Sequence, residues 1–391
     1  MQPETLKKWD KDSFERLKRN VKFRALALRK RKLNPAYSKE LPDDIGMQIN
    51  RNCNLRCKIC FLWNEDGRYR NLPKEQTRIE LDVKYFEKIL SETYDANSSL
   101  YLWGTEPLFH SQWDDYAKYL EKDPRWLVIC TNGILIKEKL HSILPISENT
   151  VLDVSVDGLE EQHDAIRGKG NFKKTIDNVK LMLDLQKSGE YKGLISIHCV
   201  VTEQVVSNMF EIASYAERLE GIDTLYFGLP WYISPTTASE MDIYFEQNIP
   251  INLKIEGGEK PSWHQYAYHI NKELIFELRN QLEKLRSKKW NFRFRLQPNI
   301  ELENLEDFIL GGKVPAQNKT KCLATSNRMD VLATGDVTAC QCFPEFAVGN
   351  IKDKGVKEIW KGIKYDEVRK IINQGLTPVC SKCILLYLNG V

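Results

Sequence analysis

Six runs of apolar and β-branched residues alternate with longer helical stretches between residues 45 and 230, and this alternation limits the fold more than any other feature of the chain. Strands that alternate with helices predict a parallel sheet in an α/β protein. We therefore expect a partial (β/α)6 barrel of the TIM type, with strands at Ile45–Ile49, Ser98–Trp103, Trp126–Thr131, Val151–Val156, Leu194–Val201 and Thr224–Leu229.

The remaining segments have other compositions and predict three further parts. Residues 1–44 predict a basic N-terminal helix, and residues 231–315 form an aromatic-rich bridging segment. Residues 316–391 hold five of the ten cysteines and show little periodicity before Val356. A segment of that size is more easily stabilised by metal than by a large core. We expect the barrel at residues 45–230 and a small cysteine domain at residues 316–391.

Composition restricts the class of protein. Of the 391 residues, 42% are hydrophobic and 28% are charged, which is typical of a globular chain. No apolar run approaches the ~20 residues needed to span a bilayer, and the N-terminus has no apolar signal core. We therefore expect a cytoplasmic protein. In that reducing compartment ten cysteines indicate metal binding or catalysis rather than disulfides.

The first 32 residues are strongly basic, with twelve lysines or arginines and four acids. Phe14, Leu17, Val21, Ala25 and Leu28 recur at helical spacing, which predicts an amphipathic helix. We expect this apolar stripe to pack against the barrel and the basic face to be solvated. The alternative is that the basic face binds an acidic partner, such as RNA, a peptide leader or a membrane surface.

Three cysteines follow the first predicted strand with the spacing C-x3-C-x2-C: Cys53, Cys57 and Cys60. A cubane iron–sulfur cluster usually has four thiolate ligands. Three thiolates in one short loop would leave one iron open, as catalytic metal sites do. The alternative is structural zinc, which needs a fourth protein ligand that this loop does not supply.

This motif, placed after the first strand of a β/α barrel, resembles the signature of the radical S-adenosylmethionine (radical SAM) superfamily. The resemblance implies that the open iron of a [4Fe–4S] cluster chelates S-adenosylmethionine. It also implies that reductive cleavage of this cofactor yields a 5′-deoxyadenosyl radical, which abstracts hydrogen from a substrate. A flavodoxin- or ferredoxin-type reductant is the implied partner.

Polar motifs at the ends of the next strands extend the resemblance and imply the cofactor-binding residues. Gly104-Thr105-Glu106-Pro107 resembles the family's Gly-Gly-Glu-Pro element, with Glu106 accepting from the methionyl ammonium. Thr131-Asn132-Gly133 is a common family element after the third strand. In a subfamily, a serine at the end of strand four and a following arginine hold polar groups of the cofactor, which implies Ser155 and Arg167. For Arg167 the alternative is a structural salt bridge.

The C-terminal cysteines resemble the SPASM/Twitch class of auxiliary-cluster domains. A full SPASM domain holds two extra clusters and needs seven or eight ligands, whereas five cysteines remain here. The resemblance therefore implies one auxiliary [4Fe–4S] cluster, as in the shorter Twitch arrangement, and its best match for ligands is Cys322, Cys340, Cys380 and Cys383. A zinc ribbon is the alternative for the set. Cys342 is left over, either as a replacement for Cys340 or as a hydrogen-atom donor to the substrate.

The sequence is compatible with several classes of substrate. We expect a polar small molecule of the sugar or aminocyclitol kind, which would be oxidised or epimerised, because no separate leader-binding domain is evident before residue 45. The alternative is maturation of a ribosomal peptide by crosslinking or epimerisation. RNA modification and a non-catalytic iron–sulfur or zinc protein are further alternatives. Cys130, Cys199, His110 and His198 are expected to pack in the barrel.

Overall fold

We describe the protein from a computed structural model. The structure describes residues 2–8, 11–253, 255, 260–312, 319–383 and 385–391. The expected start of the cysteine domain, residue 316, lies outside these residues.

One mostly parallel sheet of ten strands organises the described chain, in the order β10-β9-β8-β1-β2-β3-β4-β5-β6-β7. Strands β1 to β7 are parallel in chain order, and β8 pairs with β1 in the same direction. At one edge of the sheet, β9 pairs antiparallel with both β8 and β10. The strands are Asp44–Met47 (β1), Ser99–Leu102 (β2), Leu127–Thr131 (β3), Thr150–Ser155 (β4), Leu194–Val200 (β5), Thr224–Gly228 (β6), Arg293–Gln297 (β7), Arg328–Val331 (β8), Asp336–Thr338 (β9) and Ala347–Asn350 (β10).

The predicted α/β fold is confirmed, and each of the six expected strands is present with ends within two residues of the prediction. The sheet also extends past them. Strand β7 comes from the aromatic-rich segment, and β8 comes from the C-terminal segment that carries the cysteines. Because β8 pairs with β1, the cysteine region is joined to the barrel by strand pairing as well as by side-chain contacts.

Helices connect the strands, as parallel strands require. They are Lys11–Leu33 (α1), Lys74–Thr77 (α2), Val83–Glu92 (α3), Trp113–Lys122 (α4), Leu140–Ile143 (α5), Glu160–Arg167 (α6), Asn171–Ser188 (α7), Glu203–Val206 (α8), Met209–Arg218 (α9), Pro235–Asn248 (α10), Ile275–Arg286 (α11), Leu305–Ile309 (α12), Val356–Trp360 (α13), Ile363–Gln374 (α14) and Leu386–Asn389 (α15).

Helix α3 shows why these segments become helices. Asp82 caps it by accepting from the Lys84 N–H at 3.0 Å. Its buried residues Phe86, Ile89 and Leu90 are spaced i, i+3 and i+4, so they form one apolar face. This face packs into the main core between the sheet and the helices.

Polar as well as apolar side chains line the space enclosed by the strands. The centre of a TIM barrel is normally filled by layers of branched apolar side chains. Here a cavity of about 670 Å³ occupies it, and residues from six strands that line it are Asp44, Tyr101, Asp153, His198, Tyr226 and Arg328. The barrel therefore encloses room for a polar ligand.

Helix α1 does not use the apolar stripe predicted from its sequence. Phe14, Leu17 and Val21 are 49%, 42% and 55% exposed. The helix instead buries Phe23 and Ala27, which cluster with Leu323 of the cysteine region. The predicted packing face was wrong because that tertiary contact selects a different face of the helix.

None of the helices in the described part of the chain has the length and apolar character needed to cross a membrane.

Candidate active site

The loop that carries Cys53, Cys57 and Cys60 begins just after β1. The Cys60 N–H donates to the Cys57 carbonyl at 3.2 Å, and the Trp63 and Asn64 N–H groups donate to the Cys60 carbonyl at 3.0 and 2.8 Å. These turns fold the loop back on itself. A tertiary hydrogen bond from the Lys58 N–H to the Ile166 carbonyl, at 3.0 Å, fixes the loop against the end of α6.

The three thiols lie in a partly desolvated environment and interact electrostatically with one another. Burial raises the pKa of Cys53 to about 12 and that of Cys57 to about 11, with the neighbouring thiols adding to the rise at Cys53. Three thiolates held this close need a compensating positive charge, which cluster irons provide. The arrangement fits a cluster ligand set.

The Gly104–Pro107 element follows β2 and places a carboxylate beside this loop. Glu106 is fully buried and accepts from the Leu108 N–H at 3.1 Å, the Thr131 hydroxyl at 2.8 Å and the Asn132 N–H at 2.7 Å. Burial raises the pKa of Glu106 to about 7. A carboxylate has about four acceptor positions, so one remains for a ligand. Asn132 also lies near the Cys53 sulfur, at 3.9 Å.

Two local features shape the same element. The Thr105 hydroxyl donates to the Asn50 carbonyl at 3.0 Å, which ties the element to the end of β1. Gly104 has a φ of +109°, and a Cβ there would come within 2.6 Å of the Gln48 side chain. The glycine is therefore required at this position on both conformational and steric grounds.

Ser155 lies at the end of β4, and Arg167 lies at the end of α6 beside the cysteine loop. Ser155 ends β4 opposite His198 of β5, and within the described chain its hydroxyl makes no hydrogen bond. The Arg167 Nε donates to the fully buried Asp157 at 2.6 Å, while its Nη1 lies 4.0 Å from the Cys57 sulfur. Arg167 thus makes the salt bridge considered from sequence and also faces the cluster site, so its role in cofactor binding stays a prediction.

The five C-terminal cysteines come together from three separate stretches of chain. Cys322, Cys340, Cys342, Cys380 and Cys383 all line one small cavity of about 70 Å³. Burial raises the pKa of Cys322 to about 12, and Cys383 and Cys340 raise it further. The short turn at 378–382 fixes the last pair, because the Cys383 N–H donates to the Cys380 carbonyl at 3.1 Å. Four thiols of this group would complete a cubane.

Cys342 belongs to this thiol group and also faces the barrel. Hydrogen bonds with Cys340 and Cys383, together with burial, raise the pKa of the Cys342 thiol well above its usual value. Cys342 also lines the large barrel cavity, and the Tyr266 hydroxyl donates to its backbone carbonyl at 3.0 Å. Its position is compatible both with a ligand and with a thiol between cluster and substrate, so its role stays a prediction.

Across the described residues, no three His, Cys, Asp or Glu side chains are spaced to hold a single metal ion. The thiolates of a cubane bind different irons and so stand farther apart than the ligands of one ion. The two sets of neighbouring cysteines are therefore compatible with iron–sulfur clusters, whose thiolate ligands have this wider spacing.

The large cavity connects the two cysteine sites. Ile59 and Phe61, which flank Cys60, line one part of it, and Cys342 lines another. Tyr266 stacks on Phe61 with ring centroids 5.1 Å apart and on Trp231 at 5.6 Å, which gives the cavity an aromatic wall. A substrate in this cavity would lie between the two sites.

Sequence reasoning missed several polar residues inside the barrel. His198 and Cys130 were expected to pack in the core, but His198 lines the cavity, and the Cys130 thiol lies 3.0 Å from the Tyr101 hydroxyl. Asp153 lies between the apolar residues Leu152 and Val154 of β4, and a charge at that position was the signal that could have indicated a polar barrel interior. Cys199 is fully buried in the core as expected.

Comparison with known families agrees with this geometry. A family model described as the radical SAM superfamily matches residues 47–213, and one described as an iron–sulfur cluster-binding domain, SPASM, matches residues 322–384. The chain belongs to the radical SAM superfamily. The first match contains the three-cysteine loop, Glu106, Ser155 and Arg167, and the second contains all five C-terminal cysteines.

Two curated relatives are similar to this radical SAM protein at low identity. The antilisterial bacteriocin subtilosin biosynthesis protein AlbA of Bacillus subtilis is 24% identical over 49% of this chain, and the match covers 40% of AlbA. The tungsten-containing aldehyde ferredoxin oxidoreductase cofactor-modifying protein of Pyrococcus furiosus is 22% identical over 87% of this chain and 86% of its own length.

Among solved structures, Streptococcus suis SuiB bound to its precursor peptide SuiA is similar in fold. The TM-score is 0.57 at 18% identity, over 94% of this chain and 74% of SuiB. This likeness concerns the fold alone.

The predicted cofactors are confirmed by the two domain matches: S-adenosylmethionine, a [4Fe–4S] cluster with an open iron, and an auxiliary [4Fe–4S] cluster. Cys53, Cys57 and Cys60 are the residues that would hold the first cluster.

Proposed function

We propose that this radical SAM enzyme is a peptide maturase, which removes a hydrogen atom from an unactivated carbon of a residue in a peptide and so begins a covalent modification of that residue. The observation that carries the proposal is the cavity of about 670 Å³ that runs between the two cysteine sites. A volume of this size lies within the usual range for ligand pockets and accommodates an amino-acid side chain with its neighbours.

The kinds of relatives favour a peptide over the polar small molecule expected from the sequence. AlbA is named for the biosynthesis of a bacteriocin, and SuiB was solved with a precursor peptide. The names of these relatives outweigh the small molecule that the sequence analysis favoured. A peptide substrate is therefore the better-supported alternative.

The residues around the first cysteine loop would hold the S-adenosylmethionine, whose reductive cleavage supplies the abstracting radical. Glu106 has one open acceptor position for a ligand ammonium group. The Ser155 hydroxyl and the outer nitrogens of Arg167 can donate to carboxylate or ribose oxygens. These groups would orient the cofactor toward the barrel cavity, and their burial would keep water from the site.

Cys342 would act after abstraction if the product is an epimer. Its S–H bond would break as a C–H bond forms at the substrate carbon radical, leaving a thiyl radical on Cys342. One electron from a flavodoxin- or ferredoxin-type reductant and one proton from solvent would restore the thiol. The shared wall position of Cys342, between the thiol group and the cavity, supports this role.

A second candidate is modification of a non-peptide cofactor or metabolite. The specific observation in its favour is the Pyrococcus cofactor-modifying relative, whose match spans 87% of this chain.

One experiment separates the two candidates. Anaerobically reconstituted protein, S-adenosylmethionine and dithionite would be incubated with peptides encoded by short reading frames beside its gene, and in parallel with a panel of sugars and aminocyclitols. We expect peptides to stimulate 5′-deoxyadenosine formation and to change in mass or to take up solvent deuterium. Stimulation by the sugar panel alone would contradict the peptide proposal.

A further inference from the structure

Asp153 presents an unsatisfied carboxylate oxygen to the centre of the barrel. It lies on β4, lines the large cavity and is only 7% exposed. Within the described chain its Oδ1 has no hydrogen-bond partner, whereas Oδ2 lies 3.5 Å from the His198 Nδ1 and 3.6 Å from the Cys130 sulfur. A buried carboxylate without a counter-charge is costly, so this oxygen indicates a ligand.

Of the other carboxylates that line the cavity, Asp223 is neutralised by fixed cations, and Asp44 accepts from the Ser99 hydroxyl and the Asn327 side-chain amide, with the Arg328 charge nearby. Asp223 pairs with Arg293 at 2.9 Å and with Lys7 at 2.7 Å, and the Arg328 guanidinium pairs with Asp330 at 3.0 Å. Among the ion pairs of the described residues, none joins Asp153 to a lysine or arginine. Its ion-pair partner there is His198, which is charged only when protonated.

The cavity that Asp153 lines suits the aliphatic stem that carries a cationic group. The aromatic wall formed by Phe61, Trp231 and Tyr266 lines the same cavity. Such faces pack against methylene chains and attract cations. Gly228 leaves room beside His198, because a Cβ there would come within 3.0 Å of the His198 Nε2.

We infer that Asp153 is the recognition site for a protonated amine or guanidinium of the substrate, with the cation on Oδ1 and its stem along the aromatic wall. The inference deepens the proposed function and rests on it for the peptide nature of the substrate: the residue that enters the barrel would be a lysine or an arginine.

His198 makes this site sensitive to pH. Burial lowers the pKa of His198, but the hydrogen bond and charge of Asp153 outweigh it, so the pKa lies above its ordinary value. Protonated His198 neutralises Asp153, so cation binding should weaken as the pH falls through that pKa. Tyr101 and Cys130, which face Asp153 from β2 and β3, stay neutral because their pKa values are raised well above the ordinary ones.

The other groups near His198 do not alter this sign. Tyr226 stacks on the imidazole from β6. Asp157 and Arg167 also act on His198, in opposite directions, and they neutralise each other in a salt bridge.

The test is a binding measurement on reconstituted protein with S-adenosylmethionine and no reductant, so that no turnover occurs. The probes are acetyl-Gly-Gly-X-Gly-Gly-amide peptides with lysine, arginine, norleucine or glutamate at X, together with pentylamine and pentanol. Titration calorimetry should show the lysine or arginine peptide binding about ten- to a hundredfold more tightly than the norleucine peptide, as one charge-assisted hydrogen bond predicts. The lysine and arginine arms identify the preferred cation.

Three variants decide the assignment. Asp153→Asn should abolish the preference for cations, and the matched cavity variant Ser196→Ala should keep it. His198→Gln should keep the preference but remove its decline at low pH. Equal binding of lysine and norleucine peptides to the native protein, or an unchanged preference in Asp153→Asn, would overturn the site. If pentylamine binds in preference to pentanol while no peptide binds, the cation site stands and the peptide proposal fails.

Discussion

The two cysteine sites of this radical SAM enzyme are assembled in different ways. The first is one loop, residues 53–60, folded by its own turns and tied to α6 by the backbone hydrogen bond from Lys58 to Ile166. The second draws its thiols from residues 322, 340–342 and 380–383. The first site can be recognised from its cysteine spacing alone, whereas the second depends on the fold to bring three distant stretches of chain together.

The surroundings of the thiols also differ. The first loop has a guanidinium and a carboxylate nearby, Arg167 and Glu106, whose polar groups can reach a ligand. The second group lies mostly among apolar side chains such as Ala339, Phe343 and Phe346, and the Arg328 guanidinium beside it is already paired with Asp330 at 3.0 Å. This contrast fits a catalytic site with an exchangeable cofactor and a site whose cluster has only protein ligands.

The largest effect is expected from removing the first ligand set. Intact reconstituted protein should bind about eight irons, since two cubanes hold four each. The variant with Cys53, Cys57 and Cys60 all changed to alanine should keep about half of this iron and should form no 5′-deoxyadenosine with dithionite. Iron and 5′-deoxyadenosine assays check this. About four irons and one zinc in the intact protein would refute the auxiliary cluster.

Removing thiols from the second site should distinguish its ligands. Cys380→Ala should lose the auxiliary iron, about half of the total, because Cys380 belongs to the predicted ligand set. Cys342→Ala should keep both clusters, still form 5′-deoxyadenosine and fail to place solvent deuterium in an epimeric product. Iron loss in Cys342→Ala would make Cys342 a ligand and end the donor hypothesis. An oxidised product formed normally by this variant would favour dehydrogenation.

The difference between local and long-range features also explains which parts of the fold and the site could be predicted from the sequence. The strands and the first loop were predictable because their signals are local: β-branched runs and one cysteine spacing. The face that α1 buries and the side chains that line the barrel could not be predicted. Side chains on a strand alternate between faces, and whether Asp153 faces the cavity or a helix depends on register and pairing. The role of Cys342 depends likewise on tertiary distances.

Arg167 should affect cofactor binding more than iron content. Arg167→Ala removes a charge-assisted interaction worth about 1.5–3 kcal/mol, which corresponds to about ten- to a hundredfold weaker S-adenosylmethionine binding. It also leaves the buried Asp157 without its cation, so the free energy of unfolding should fall. Equilibrium binding and chemical denaturation measure the two effects.

A double variant separates these two roles of Arg167. Combining Arg167→Gln with Asp157→Asn removes both charges, so it should recover stability without recovering affinity. Recovery of full cofactor affinity in the double variant would show that Arg167 serves the salt bridge alone.

The smallest effect concerns Glu106 and pH. Its carboxyl has a pKa raised to about 7 by burial, so it is largely protonated below that value and cannot accept fully from a cofactor ammonium group. Affinity for S-adenosylmethionine should therefore fall by up to about tenfold per pH unit as the pH drops below about 7.

The folded state also holds the Glu106 proton more tightly than the unfolded chain does, so Glu106 should lower the free energy of unfolding as the pH rises from about 4.5 to 7. Glu106→Gln, which keeps the shape and cannot titrate, should bind the cofactor weakly at every pH and should lose both dependences. Binding isotherms at pH 6, 7 and 8 and denaturation curves at pH 5, 6 and 7, all with matched salt, provide the test. A pH-dependent affinity that persists in Glu106→Gln would assign the titration to another group and leave Glu106 as a structural acceptor for Thr131 and Asn132.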